Sequence, residues 1–202
     1  MDFATYITIL ISTVFINNFI LSRFLGLCSF IGVSKHTGPS VSMGAAVTFV
    51  TTMASLITWL IYNYILLPNH LEYLRTISFI LVIASFVQFT EIVIQKKSPV
   101  LYKIFGIYLP LITVNCAVLG VAVLNTDMFF LNGHALAGSL SKSIVQGFGA
   151  GAGYMLAMLL MSGIRERLEF ADIPRSLKDV PITFIIASLM SLAFLGFSGF
   201  KI

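Results

Sequence analysis

Cys28-Ser29-Phe30-Ile31-Gly32-Val33 returns, conservatively changed, as Cys116-Ala117-Val118-Leu119-Gly120-Val121. The chain has two cysteines, and these are they, 88 residues apart (116 − 28). Each lies in apolar sequence, once per half of the protein. A repeated C-x-[FV]-[IL]-G-V element indicates two related halves that each bring one thiol to an equivalent place. Thiolates are soft ligands suited to iron–sulfur clusters and other soft metals. The pair is therefore either a divided metal site or a packing remnant of duplication, in which the thiols are small buried apolar groups. A disulfide is disfavoured at membrane depth.

Around this element the chain is 58% hydrophobic and 10% charged, against about 25% charged residues in a soluble domain. The apolar residues form runs near 3–21, 43–66, 74–94, 100–124, 143–164 and 182–200. Each is close to the ~20 residues that cross a bilayer. The reading is an all-α integral membrane protein of six transmembrane helices, a single membrane domain over 1–202. Met1-Asp2 leads straight into apolar sequence with no basic n-region, so the first run is read as a retained span. The net charge of +4 is spread over short connectors without a basic face, which argues for membrane orientation and against nucleic-acid binding.

The ten residues Phe24–Val33 are too short to span and read as a broken or re-entrant segment, tolerated only when buried in protein. Pro110 invites a second break just before Cys116. Both cysteine elements thus sit at helix interruptions. Asn17, Asn18 and Asn115 adjoin them, with amides able to satisfy freed backbone groups. Asn17 and Asn18 are read as hydrogen-bond glue between helices.

The halves divide at Lys96-Lys97-Ser98-Pro99, into repeats of about 1–97 and 98–202. Three spans per half is an odd number, so the second half enters from the opposite face, giving inverted repeats. Cys28 and Cys116 should then meet near the bilayer midplane. Connectors 22–42, 95–103 and 165–181 hold nine Lys or Arg, and the other side has Arg75, Lys142 and Lys201. That bias puts the first group in the cytoplasm and both termini outside.

Ligand arithmetic limits the metal reading. A [2Fe–2S] cluster takes four protein ligands, typically thiolates, and this chain has two. The others must come from a second chain. Glu91 is the acidic residue placed furthest into a span, read as an interfacial carboxylate near Lys96 or an ion-coupling group. Arg165-Glu166-Arg167 and the charges that follow read as a solvated loop closing the fifth span. Gly147, Gly149, Gly151 and Gly153 lack the Gly-Lys-Ser/Thr of a phosphate loop, and their four-residue spacing suits close helix packing. His36, His70 and His134 are isolated.

These motifs resemble a known family. Asn17-Asn18-Phe19 with Phe24-Leu25-Gly26-Leu27-Cys28, and Leu109-Pro110-Leu111-Ile112-Thr113-Val114-Asn115-Cys116-Ala117-Val118-Leu119-Gly120-Val121, look like the A-type membrane subunits of the bacterial Rnf complexes. So do Val87-Gln88-Phe89-Thr90-Glu91, Ile164-Arg165-Glu166-Arg167-Leu168 and Gly196-Phe197-Ser198-Gly199. The resemblance covers essentially the whole chain. It implies a bacterial inner-membrane component of an ion-translocating ferredoxin:NAD oxidoreductase, a translocase without a complete active site in this chain. It implies a [2Fe–2S] cluster shared with a paralogous E-type (RnfE-like) membrane subunit of opposite topology, with Cys28 and Cys116 as this chain's ligands. The B, C, D and G components of the Rnf complex and the lipid bilayer complete the expected partners, without nucleic acid. No Ser-Gly-Ala-Thr is present, so no covalent flavin is expected. The alternatives are the E component of the sodium-pumping NADH:quinone oxidoreductase, an inverted-repeat transporter without a redox centre, and a structural scaffold.

Overall fold

A computed structural model describes residues 3–69, 72–97, 111–112, 115–131, 134–135, 139–170, 174 and 179–196. The chain folds as helices α1 (Phe3–Ile11), α2 (Phe19–Arg23), α3 (Leu27–Val33), α4 (Thr37–Ile61), α5 (Arg75–Lys97), α6 (Cys116–Phe129), α7 (Ser139–Glu169) and α8 (Val180–Leu195). Among the described residues the strand pairing is a two-residue antiparallel ladder after α6, Phe130 with Ala135 and Leu131 with His134. Among the described residues three helices are long and apolar enough to cross a bilayer, Thr37–Leu66, Arg75–Ile92 and Ser139–Glu169. Three shorter apolar helices accompany them, Ala4–Ile16, Cys116–Phe129 and Val180–Leu195. Most of the first half of the expected fourth span, with Pro110, lies outside the described residues.

The expected first span is interrupted earlier than its hydropathy indicates. After α1 the helix widens into a π turn over Ser12–Ile16, and it stops at Asn17. Inserted residues of this kind mark breaks in a helical ladder. The short α2 follows and ends on Phe24, a non-glycine residue in the left-handed region at φ 55°, and Gly26 is left-handed too at φ 84°. Two such residues turn the chain between α2 and α3. Left-handed backbone disfavours a residue with a Cβ, so the fold holds Phe24 there at a cost of order 1 kcal/mol.

The centre of the molecule is the antiparallel pair α4–α7. Its ends are marked by two hydrogen bonds. The Thr37 N–H donates to Glu166 Oε1 at 2.8 Å, and Trp59 Nε1 donates to Ser139 Oγ at 2.9 Å. Between them Gly44 faces Met155, Gly151 faces Thr48 and Gly147 faces Ser55. Without a hydrophobic drive between helices in lipid, backbone approach over small residues supplies the attraction. Gly149 and Gly153 look the other way, toward Thr13 and Val14. The glycine run therefore packs on two neighbours at once, as its spacing indicates. The ion pair of Arg75 with Asp127 joins the start of α5 to the end of α6. Beside it Tyr62 packs edge-on to Phe130, ring centres 4.6 Å apart.

Candidate functional site: two thiols at facing helix starts

Contacts along α7 set the direction of each segment. Thr13 lies at Gly149 and Asn18 at Gly153. Ser29 reaches Tyr154, and Ile31 and Ser34 reach Arg165. Residues 13–34 therefore run alongside α7 in the same direction. Helix α6 runs the opposite way. It starts with Asn115 and Ala117 beside Gly26 and Tyr154, and ends with Asn125 at Ser143 and Met128 at Gln146. So α3 and α6 begin at one level and leave it in opposite directions.

Cys28 occupies the first turn of α3, and Cys116 is the first residue of α6. The Gly26 N–H donates to Cys116 Sγ at 2.9 Å, which ties the two helix starts together. Tyr154 lies within electrostatic reach of both thiols. Helix N-termini favour negative charge, and a thiolate in the first turn is stabilised by it. Both cysteines are exposed and unbridged. The expectation that they pack as small buried groups does not hold, because both face out of the chain.

Depth follows from helix geometry. Tyr154 is eleven residues (165 − 154) before Arg165 and fifteen (154 − 139) after Ser139, about 16 and 22 Å along the axis at 1.5 Å per residue. The hydrocarbon core is about 30 Å thick, so the thiols lie well inside the span of α7.

Asparagines satisfy the interrupted backbone. Asn18 caps α2, its Oδ1 accepting from Ile20 N at 3.2 Å, while its Nδ2 donates to Gly153 O at 2.9 Å and Val14 O at 3.2 Å. Asn115 caps α6 in the same manner through Ala117 N at 3.0 Å. Each half thus breaks its helix with an asparagine cap. Asn17 is different. Its side chain is exposed and donates to Ser12 Oγ in its own segment, so it does not bridge helices.

Beneath the thiols lies a buried polar network that composition did not reveal. Ser29 Oγ and Tyr154 Oη are 2.6 Å apart, Ser29 donates to Gly26 O at 3.0 Å, and Asn115 Nδ2 reaches Ser29 Oγ at 3.4 Å. Ser29 and Tyr154 are both buried. Gly26 has no room for a side chain, since a Cβ would press on Asn115, Tyr154 and Ala117 at 3.2–3.3 Å. The turn carrying the sulfur-bonding N–H is fixed from three sides.

Arg165 and Glu166 form a clamp, where the sequence reads as a solvated loop. They belong to α7. Arg165 Nη1 donates to Ile31 O at 2.8 Å and to buried Ser34 Oγ at 2.9 Å, while Glu166 accepts from the first N–H of α4. A cation at the last carbonyls of α3 and an anion at the first amide of α4 each complement a helix dipole. Arg165→Ala should lower stability by about 2–3 kcal/mol, since it strips charge-assisted bonds from half-buried acceptors. Thermal unfolding of the purified protein in detergent measures this, and Arg165→Lys should recover part of it. An unchanged midpoint in Arg165→Ala would refute the clamp.

One other expectation shifts. Arg23 is part of the bundle and not of a cytoplasmic connector, because it lies between Asn18 at Gly153 and Gly26 at Tyr154. Glu91 is half-buried on α5, near its end. The exposed soft donors are two thiols, and among the described residues no group of three Cys, His, Asp or Glu forms. Two outward thiols at facing helix starts fit half of an iron–sulfur site.

The geometry defines a multi-pass membrane protein that presents paired thiols between oppositely directed half-helices. Residues 6–201 match the family model described as "Rnf-Nqr subunit, membrane protein". The chain belongs to this Rnf-Nqr family. It is 55% identical over 194 residues to the A subunit of the ion-translocating oxidoreductase complex of Vibrio vulnificus, covering 96% of this chain and 97% of the relative. The protein of the same name from Photorhabdus laumondii is 54% identical, covering 96% of each chain. The A subunit of the proton-translocating ferredoxin:NAD(+) oxidoreductase complex of Clostridium ljungdahlii is 47% identical over 196 residues, covering 97% of each.

Proposed function

We propose that this chain is the A-type membrane subunit of an ion-translocating ferredoxin:NAD oxidoreductase of the bacterial inner membrane. Cys28 and Cys116 supply half the ligands of a [2Fe–2S] cluster, and a paralogous E-type subunit of opposite topology supplies the rest. The B, C, D and G components are the remaining partners. The observation that carries this reading is the Gly26 N–H to Cys116 Sγ contact, which sets two exposed thiols at the starts of helices leaving in opposite directions. That opposition supports six spans in two inverted halves, and the excess of Lys and Arg on one side supports both termini outside. Similarity to relatives named as A subunits of such complexes supports the ferredoxin:NAD reading over the quinone-reducing one.

The chain's own residues do the following. The first turns of α3 and α6 carry the two cysteines and set the directions in which their side chains leave the chain. Gly26 donates a hydrogen bond to one sulfur, an interaction that raises the potential of thiolate-bound iron. Ser29, Tyr154 and Asn115 fix the turn so that both sulfurs keep their spacing. Apolar walls exclude water from the thiols once a partner covers them. When bound, a [2Fe–2S] cluster accepts and donates one electron. Held by Cys28 and Cys116 at membrane depth, such a group would change charge where charge is costly, and that would supply a physical basis for coupling to Na⁺ or H⁺ movement.

Iron and acid-labile sulfide are to be measured on the chain copurified with its paralogous partner. About two of each per pair is the expected result for a [2Fe–2S] site. A pair that assembles without iron or sulfide overturns the reading and leaves the inverted-repeat transporter.

A further inference from the structure

A cavity of about 180 Å³ opens between the first segment of the chain and the far end of α6. Arg23, Thr8, Ser12, Asn17 and buried Gln146 line its polar side. Leu124, Met128 and Phe129 line its apolar side. Met128 is twelve residues (128 − 116) from Cys116, about 18 Å along α6, so the cavity is separate from the thiols. Its depth follows from α7. That helix has 31 residues and is about 46 Å long, against a hydrocarbon core of about 30 Å. With the overhang shared between its ends, the core begins about 8 Å in from Ser139. Gln146 is seven residues (146 − 139) in, about 10 Å. The cavity therefore sits where acyl chains meet headgroups. The backbone of Arg23 lies deeper, between Asn18 at Gly153 and Gly26 at Tyr154. Its side chain runs from there toward the boundary, as long cationic side chains do in apolar surroundings.

Among the described residues Arg23 has no hydrogen-bond or ion-pair partner, and no carboxylate lines the cavity. The groups beside the guanidinium are hydroxyls and amides, which can donate. Such a set selects an anion, and the guanidinium fork matches phosphate oxygens. Exposed Ile11, Phe15 and Met128 keep the surrounding surface apolar. We propose that the cavity holds the phosphate of an anionic phospholipid from the leaflet at the Ser139 end of α7, with Arg23 on the phosphate and the acyl chains over the apolar side. The apolar side and the depth favour a lipid over a free anion. The absence of a carboxylate among the described lining residues favours a headgroup without an ammonium. This site does not depend on the cluster reading.

The test is native mass spectrometry of the full chain, released from detergent after titration with phosphatidylglycerol, phosphatidylcholine or inorganic phosphate. Phosphatidylglycerol should be retained saturably, phosphatidylcholine more weakly, and inorganic phosphate not at all. Arg23→Gln should weaken phosphatidylglycerol binding by about tenfold or more, the effect of losing charge-assisted hydrogen bonds, and Arg23→Lys should fall between. Thr8→Glu adds a carboxylate to the same cavity and should abolish retention even where Arg23→Gln does not fold. Equal retention of the two lipids overturns the proposal. So does an unchanged affinity for phosphatidylglycerol in Arg23→Gln, or in Thr8→Glu where the glutamine variant does not fold. Inorganic phosphate binding as tightly as lipid would make this a soluble-anion site and overturn the lipid. A parent chain that retains no lipid overturns it too, and would point to a partner's carboxylate on Arg23.

Discussion

Cys116→Ser should abolish the [2Fe–2S] signal of the assembled complex while the chain still accumulates in the membrane. The two halves of that expectation have separate causes. Serine offers a hard, protonated oxygen where the cluster needs a soft thiolate. Folding survives because Cys116 is exposed, so its replacement opens no cavity. Asn115 still caps α6 through Ala117 N. Cys28→Ser should give the same loss, because Cys28 is also exposed and sits in the first turn of α3. The double variant should look like either single one, since a cluster missing any ligand is lost as a unit. An undiminished signal in Cys116→Ser would exclude the cysteine from the ligand set.

Gly151→Val should prevent the folded protein from accumulating. A Cβ at Gly151 would lie 2.5 Å from Thr48 Cα, and backbone of a packed helix cannot rotate away as a side chain can. Helices α4 and α7 would have to separate along their central contact. Overpacking a tight core costs about 1–3 kcal/mol where side chains can give, and the cost here should exceed that because the obstacle is backbone. The comparison is Gly163→Ala in the same helix. Among the described residues nothing lies within 4 Å of a Cβ there, so the change should be neutral or stabilising by about 0.5–1 kcal/mol, the usual helix-interior difference between the two residues. Fluorescence-detected size-exclusion chromatography of both variants decides. Equal yields of monodisperse protein would mean that α4 and α7 are not held by backbone approach.

The glycine run is legible in the sequence because four-residue spacing is a property of the helix alone. The asparagine breaks are legible too, since an amide beside an interruption has few other uses in an apolar chain. Other features are not. The position of the first break depends on the π turn at Ser12–Ile16 and on Asn18 reaching Gly153, 135 residues away. Arg165 and Glu166 read as a polar loop because charge near a span end is usually solvated. Their partners Ile31, Ser34 and Thr37 lie more than 125 residues earlier. Arg23 reads as a connector charge because hydropathy does not register depth within a broken helix.

By itself the sequence determined that the chain is apolar and helical, that its cysteine element recurs once, and that it holds only two thiols, so that any four-thiolate site is half its own. Those are matters of composition and local period, which every residue carries wherever it lies. The tertiary structure decided which way each half-helix leaves the thiols, that both thiols face outward, and which buried groups fix them. Such facts are set by contacts between distant segments packed on α7, and no local pattern encodes them.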